Sequence, residues 1–260
     1  MIVVTGATGN VGRPLVQALT AAGEEVTAVS RRIAAQQRAQ SRRIAATPEV
    51  DTEERSQSRR IAAGPGGVRR IAADLSAPET LKPALDGADA AFLLTSADFM
   101  AGGNMKDVME VVRAAGVQRV VLLSSHGVGT NRHPSDFEDA VTQSGLDWTT
   151  LRPGNFASNA FQWSESIRTQ RMMAAPFADV AVPTVDPDDI AEVAAAALRD
   201  PGHAGGIYTL TGPVAISPRQ QAEAIGQVVG EPVQFVELSR EEARTRMLTY
   251  MPEPVVEATL

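Results

Sequence analysis

Short apolar runs alternate with stretches in which apolar residues recur every three or four positions along most of this 260-residue chain. Ile2 to Thr5 reads as a buried strand. From Asn10 to Ala22, Val11, Leu15, Leu19 and Ala22 fall on one helical face, Pro14 lies in the first turn and Gly23 stands just past the end. Glu25 to Val29 predicts a second strand, Val68 to Ala72 a third and Ala88 to Thr95 a fourth, apolar on both faces as a parallel-sheet strand should be. A helix over Asn104 to Ala115, a strand over Arg119 to Ser124, a helix near Ser135 to Ser144 and a strand over Trp148 to Leu151 continue the rhythm. Strands alternating with helices imply right-handed βαβ units and a doubly wound parallel α/β sheet of the Rossmann type. Beyond it the pattern predicts helices over 159–173, 189–198 and 218–229, with strands at 207–210 and 233–236. These pieces are expected to form a smaller α/β substrate-binding lobe over the carboxyl ends of the main strands. The expected organisation is therefore a dinucleotide-binding domain over 1–155 and a lobe over 156–260.

One segment breaks the rhythm. The hexapeptide SRRIAA begins at Ser30, Ser41 and Ser58, and VRRIAA begins at Val68. The intervals are irregular, so this is no solenoid repeat. Joining Ala35 directly to Gly64 restores an ordinary connection, which marks residues 36–63 as an Arg-rich insertion carrying copies of its flanks. Such an insertion is either a basic arm that touches a partner or covers a ligand, or a mobile or weakly helical surface segment.

Composition narrows the class. A hydrophobic content of 43% and a charged content of 21% are ordinary for a soluble globular protein. The net charge of −7 argues against a general nucleic-acid surface, and no apolar run is long enough to span a bilayer. Without cysteine there is no disulfide, thiolate metal site or thiol nucleophile, and His126, His133 and His203 make no zinc pattern. The first residues already read as a strand with no export signal, so the expectation is a cytoplasmic protein without metal, nucleic-acid or membrane partners. No feature sets an oligomeric state.

The candidate chemistry sits at the start. Gly6-x-x-Gly9-x-x-Gly12 follows a strand and opens a helix, the context in which glycines cradle a pyrophosphate. Gly6 would permit the turn, Gly9 the close approach of a diphosphate, and Gly12 close packing of a helix whose N-terminal amides grip the anion. At the end of the second strand stand Ser30, Arg31 and Arg32, with no carboxylate to bind a ribose 2′-hydroxyl. That choice favours NADP(H) over NAD(H), with Arg31 the leading contact to a 2′-phosphate and Arg32 the second. Asp74, past the third strand, is placed either to accept from an adenine amino group or to cap the following turn.

VTGATGNVG, Arg31, AADLS, GADAAFLL, RVVLLSS, SGLDWTTLRPGNF and VDPDDIAEVAAAAL…YTLTGP together resemble the NmrA-like atypical short-chain dehydrogenase/reductases, in particular the bacterial quinone- and azo-reductase-like branch. The resemblance implies Gly6, Thr8, Gly9, Asn10, Val11 and Gly12 at the pyrophosphate and Arg31 at the 2′-phosphate. It places Asp74 and Leu75 at the adenine, and Thr95, Ser96 and Ala97 beside the nicotinamide ribose. Ser124 and Ser125 then end the strand that carries the superfamily's catalytic serine, and Pro153, Gly154, Asn155 and Phe156 pass the nicotinamide ring. It also implies a further C-terminal helix beyond Leu260. Such families include redox enzymes for quinone- or ketone-type substrates and regulators that only sense the nucleotide.

One part of the superfamily's machinery is missing. Neither Tyr208 nor Tyr250 is followed four residues later by lysine, and the only lysines, Lys82 and Lys106, precede both. Reduction of a carbonyl still needs a proton donor near the developing oxyanion. Ser125, His126 and Asn155 are the candidates, His126 because an imidazole exchanges protons near neutral pH. A quinone is less demanding, since water can protonate its product. The expected substrate is a small, planar or conjugated carbonyl. Phe99, Phe156, Phe161 and Trp163 would line its pocket or simply pack a core. Asp186, Asp188 and Asp189 read as a helix start rather than a metal site.

Overall fold

A computed structural model describes residues 1–31, 33, 67–249 and 253–260. Arg32 and the repeat-bearing insertion at 36–63 lie outside the described residues. The strands are β1 (Ile2–Val4), β2 (Val26–Val29), β3 (Val68–Ile71), β4 (Ala90–Leu94), β5 (Arg119–Leu123), β6 (Asp147–Pro153), β7 (Met172–Ala175), β8 (Val182–Pro183), β9 (Gly206–Leu210), β10 (Ala215–Ile216) and β11 (Gln234–Glu237).

The chain divides into two compact units, Met1–Pro153 with Pro187–Leu210, and Gly154–Asp186 with Thr211–Leu260. In the first, seven strands pair in the order β3-β2-β1-β4-β5-β6-β9, every pair parallel. This is the doubly wound α/β sheet expected. The strand order reverses between β1 and β4, and the crevice at their carboxyl ends is where such sheets bind ligands.

The apolar runs explain the layers. All of β1 and β2 is buried, as are four of the five residues of β4. Helix Gly12–Ala21 buries Gly12, Leu15 and Leu19, while Ala22 falls outside the helix and on the surface. Helix Met105–Ala114 buries Met105, Val108, Met109, Val111 and Val112, its apolar stripe packing into the main core with Leu93, Phe99, Val120 and Leu122. Phe99 is 1% exposed and its ring lies 5.2 Å from that of Phe137, so it belongs to this core and not to a substrate pocket.

Helix Pro187–Arg199 and strand β9 belong to the first unit, although their position along the chain suggests the smaller lobe. Their packing explains this: β9 adds a seventh parallel strand on β6, and the helix lies against Gly12–Ala21. Asp188 and Asp189 sit in that helix's first turn, where carboxylates complement the helix dipole.

In the second unit the helix expected over 159–173 is shorter. A three-ten segment Ala157–Trp163 leads into helix Ser164–Gln170, and Arg171 in the left-handed conformation (φ 51°) ends it. The following MMAA is strand β7, paired in parallel with β11. Continuous burial over 173–175 is the cue that a helical reading overrides. Helix Pro218–Val229 starts with a capping box between Ser217 and Gln220 and stops at left-handed Gly230. Two further helices, Arg240–Met247 and Glu253–Thr259, follow. No described helix is long and apolar enough to cross a membrane.

Candidate functional site

At the carboxyl end of β1 the backbone turns sharply. Gly6 sits at φ +62°, a conformation that side chains disfavour. The turn is anchored on both neighbouring strands: Thr5 N donates to Phe92 O at 3.0 Å and Ala7 N to Val29 O at 3.1 Å. Helix Gly12–Ala21 then begins directly over it. A Cβ at Gly12 would lie 2.3 Å from Gly6 O and 2.8 Å from Ala7 Cα, so only glycine lets the helix mouth come this close. No side chain caps this helix, and no acid occupies its first turn. Its leading amides and positive dipole end thus form a seat suited to a diphosphate. Thr8 extends the seat, its hydroxyl 2.9 Å from that of Ser30 at the end of β2. Asn10 Oδ1 accepts from Val11 N at 3.1 Å and shapes the approach.

Arg31 follows Ser30. Its Nη1 donates to Asp98 Oδ2 at 2.7 Å and lies 3.9 Å from Asp74 Oδ2. The hydrogen bond to Asp98 and then the charge of Asp74 hold this guanidinium above its ordinary pKa. The Arg31 and Asp98 side chains are 49% and 76% exposed, which makes the pair worth only about 0–1 kcal/mol and easily exchanged for a stronger anion. Asp98 carries no sequence motif and lies 67 residues away; only the fold reveals it.

Asp74 caps the following turn, with Ser76 N donating to its Oδ1 at 3.0 Å. Leu75, 7% exposed, lies beside it. Leu75, Ser76 and Pro78 face Asp98, Gly103 and Asn104 across a cavity of about 360 Å³, open to solvent. Its size is in the range of small-molecule sites. Beyond β4, Thr95 leads into Ser96, whose hydroxyl accepts from Phe99 N at 3.3 Å and caps the helix Ala97–Gly102.

At the end of β5 two adjacent serines part ways. Ser124 Oγ donates to Glu138 Oε1 at 2.5 Å. Glu138 is 5% exposed and also accepts from Arg152 Nε at 3.0 Å and Nη2 at 2.5 Å. That bond raises the Arg152 pKa against the effect of burial. Ser125 Oγ instead accepts from Gly127 N at 3.0 Å and lies 3.1 Å from Nδ1 of His133. The His126 ring is exposed, so the histidine brought to the serine is His133, eight residues on. Spacing along the chain could not select it.

Pro153 closes β6 in the first unit, whereas Gly154, Asn155 and Phe156 open the second. There Val185 N donates to Asn155 O at 2.8 Å, and Phe156 bridges Val185. Phe161 is 77% exposed, and Trp163 Nε1 donates to Ala174 O at 3.0 Å.

Comparison with known proteins gives the family and supports the fold. Residues 1–259 match the model of the NmrA-like family. The chain is 35% identical to a (4-alkanoyl-5-oxo-2,5-dihydrofuran-3-yl)methyl phosphate reductase of Streptomyces griseus, across 100% of this chain and 85% of that one. It is 29% identical to an NAD(P)H azoreductase of Xenophilus azovorans, across 99% and 84% of the two chains. In fold it resembles an NADPH-dependent quinone oxidoreductase from Escherichia coli complexed with NADPH, with a TM-score of 0.74, 22% identity, and coverage of 99% and 86%.

Proposed function

The chain belongs to the NmrA-like family, and on that premise we propose that it is an NADPH-dependent oxidoreductase reducing a small conjugated carbonyl or quinone-like substrate. The observation that carries this reading is the uncapped helix mouth over a glycine turn, with Arg31 alongside at the end of β2. Gly6, Thr8, Gly9, Asn10, Val11 and Gly12 hold the diphosphate, Arg31 holds the 2′-phosphate, and Leu75 with Asp74 borders the adenine. Thr95, Ser96, Ala97 and Pro153 are assigned to the nicotinamide half. The nicotinamide, when bound, supplies hydride; the chain orients the reactants and manages the proton. Ser125 is the hydroxyl assigned to the substrate oxygen, because Ser124 is committed to Glu138. The reductase names of two similar proteins support the reaction class.

NADPH consumption followed across a panel of quinones and conjugated enones tests the reaction. Tight NADPH binding with no turnover on any member would reject the reductase and favour a nucleotide-sensing protein.

Two substitutions test the cofactor preference. Arg31→Ala should weaken NADPH by roughly 10- to 100-fold, the worth of a charge-assisted hydrogen bond, and leave NADH within about twofold. Asp98→Asn frees Arg31 from its carboxylate and should tighten NADPH about two- to fivefold, with NADH unchanged. Equal effects on both nucleotides, read by titration of bound-cofactor fluorescence, would discard the 2′-phosphate assignment.

A further inference from the structure

The segment after β5 holds one imidazole against one hydroxyl by three separate devices. Arg132 N and His133 N both donate to Gly127 O, at 2.8 and 3.1 Å, which brings His133 back beside the start of its own loop. Asn131 makes the reversal in the left-handed conformation, at φ 58°. The His133 ring then rests on Gly127, where a Cβ would stand 2.3 Å from Nδ1. The short turn His126–Gly129 needs Ser125 as its cap, and that cap is complete without any histidine.

A serine hydroxyl has one hydrogen to give and two lone pairs to receive. Gly127 N–H takes one lone pair of Ser125 Oγ, and His133 Nδ1, 3.1 Å away, takes the other whenever that nitrogen carries hydrogen. The Ser125 hydrogen is then left for an outside acceptor. We propose that Ser125 and His133 form the proton-delivery pair of this reductase, in place of the absent tyrosine and lysine. Ser125 is the catalytic donor and His133 the positioning residue that restores its proton. The inference rests on the reductase reading above.

The step balances. Hydride adds to the electrophilic carbon of the conjugated substrate, and the displaced π pair moves to its oxygen. The Ser125 O–H bond breaks as the new substrate O–H bond forms. The pair left on Ser125 Oγ takes the proton from His133 Nδ1, and the exposed ring, left with its proton on Nε2, regains one at Nδ1 from water before the next turnover. In sum, the substrate gains one hydride and one proton.

The test uses the full chain, NADPH and the best substrate of the enone panel. His133→Ala should lower kcat about 100-fold while leaving NADPH affinity unchanged, and free imidazole should restore much of the rate. His133→Asn, which can still donate a hydrogen bond but cannot relay a proton, should remain slow. Wild-type rates in both variants, or a slow His133→Ala enzyme that imidazole does not rescue, would overturn the pair and leave the reductase standing. A wild-type chain inert toward the whole panel would remove the reductase reading and the pair with it. A readout independent of turnover is the ¹⁵N resonance of His133 Nδ1 in the cofactor-free protein, which should shift on Ser125→Ala. An unmoved resonance would show that the two groups do not interact and would end the proposal.

Discussion

Glu138→Ala should destabilise the first unit by about 3–5 kcal/mol, because removing one partner of a buried ion pair strands the other. Glu138 is 5% exposed and receives hydrogen bonds from Ser124 and from two nitrogens of Arg152, whose side chain is 21% exposed. Truncation leaves that guanidinium half enclosed without a carboxylate and Ser124 without its acceptor. At roughly 2–4 °C per kcal/mol for a unit of this size, the thermal midpoint should fall by about 10 °C or more. Glu138→Gln keeps the shape and one acceptor oxygen, so its loss should be smaller. A calorimetric scan showing Glu138→Ala within about 1 kcal/mol of wild type would mean that the ion pair contributes no more than an exposed one. The prediction also bears on the site, since this carboxylate anchors the strand end from which Ser125 projects.

Gly12→Ala should produce the largest loss of cofactor affinity. The added methyl meets three backbone atoms of the turn: Gly6 O at 2.3 Å, Gly6 C at 2.7 Å and Ala7 Cα at 2.8 Å. No flexible side chain can yield, so the helix mouth must move away from the turn. Amides displaced in this way point past the diphosphate, and hydrogen bonds weaken steeply with lost alignment. NADPH should bind roughly 100-fold more weakly, about 2.7 kcal/mol, with about 1–3 kcal/mol of overpacking strain in the fold. Gly23→Ala provides the control. Gly23 has φ +83° with nothing within 4 Å of its would-be Cβ, so that variant is strained at a distance from the cradle. It should lose stability and retain affinity. Equal loss of NADPH binding in both variants would point to general destabilisation and reject the cradle.

Together these variants separate two layers of one strand-end architecture. Gly12 governs the proposed anion seat at the end of β1, and Glu138 holds the end of β5, where the proposed proton donor stands. Affinity should follow the first and stability the second.

Legibility in the sequence followed the range of the interaction. Burial on both faces made β1, β2, β4 and β5 visible as apolar runs, and the 3.6-residue period marked helices Gly12–Ala21 and Met105–Ala114. The glycine spacing announced the tight turn and close helix start at Gly6 and Gly12, because a close approach of backbone to backbone leaves glycine as its imprint on the chain. The place of Arg31 just past the end of β2 was legible from the strand boundary.

Tertiary structure alone decided the rest. Ser125 meets His133 and not the adjacent His126, because a left-handed turn and two bonds on one carbonyl reverse the chain. Asp98 reaches Arg31 across 67 residues, and β9 joins β6 after the chain has passed through the first segment of the second unit. Hydrophobic period and residue spacing record how each segment is buried locally. Which polar groups meet depends on how non-local packing returns the chain, and that is settled only by the assembled sheet and the helices packed on it.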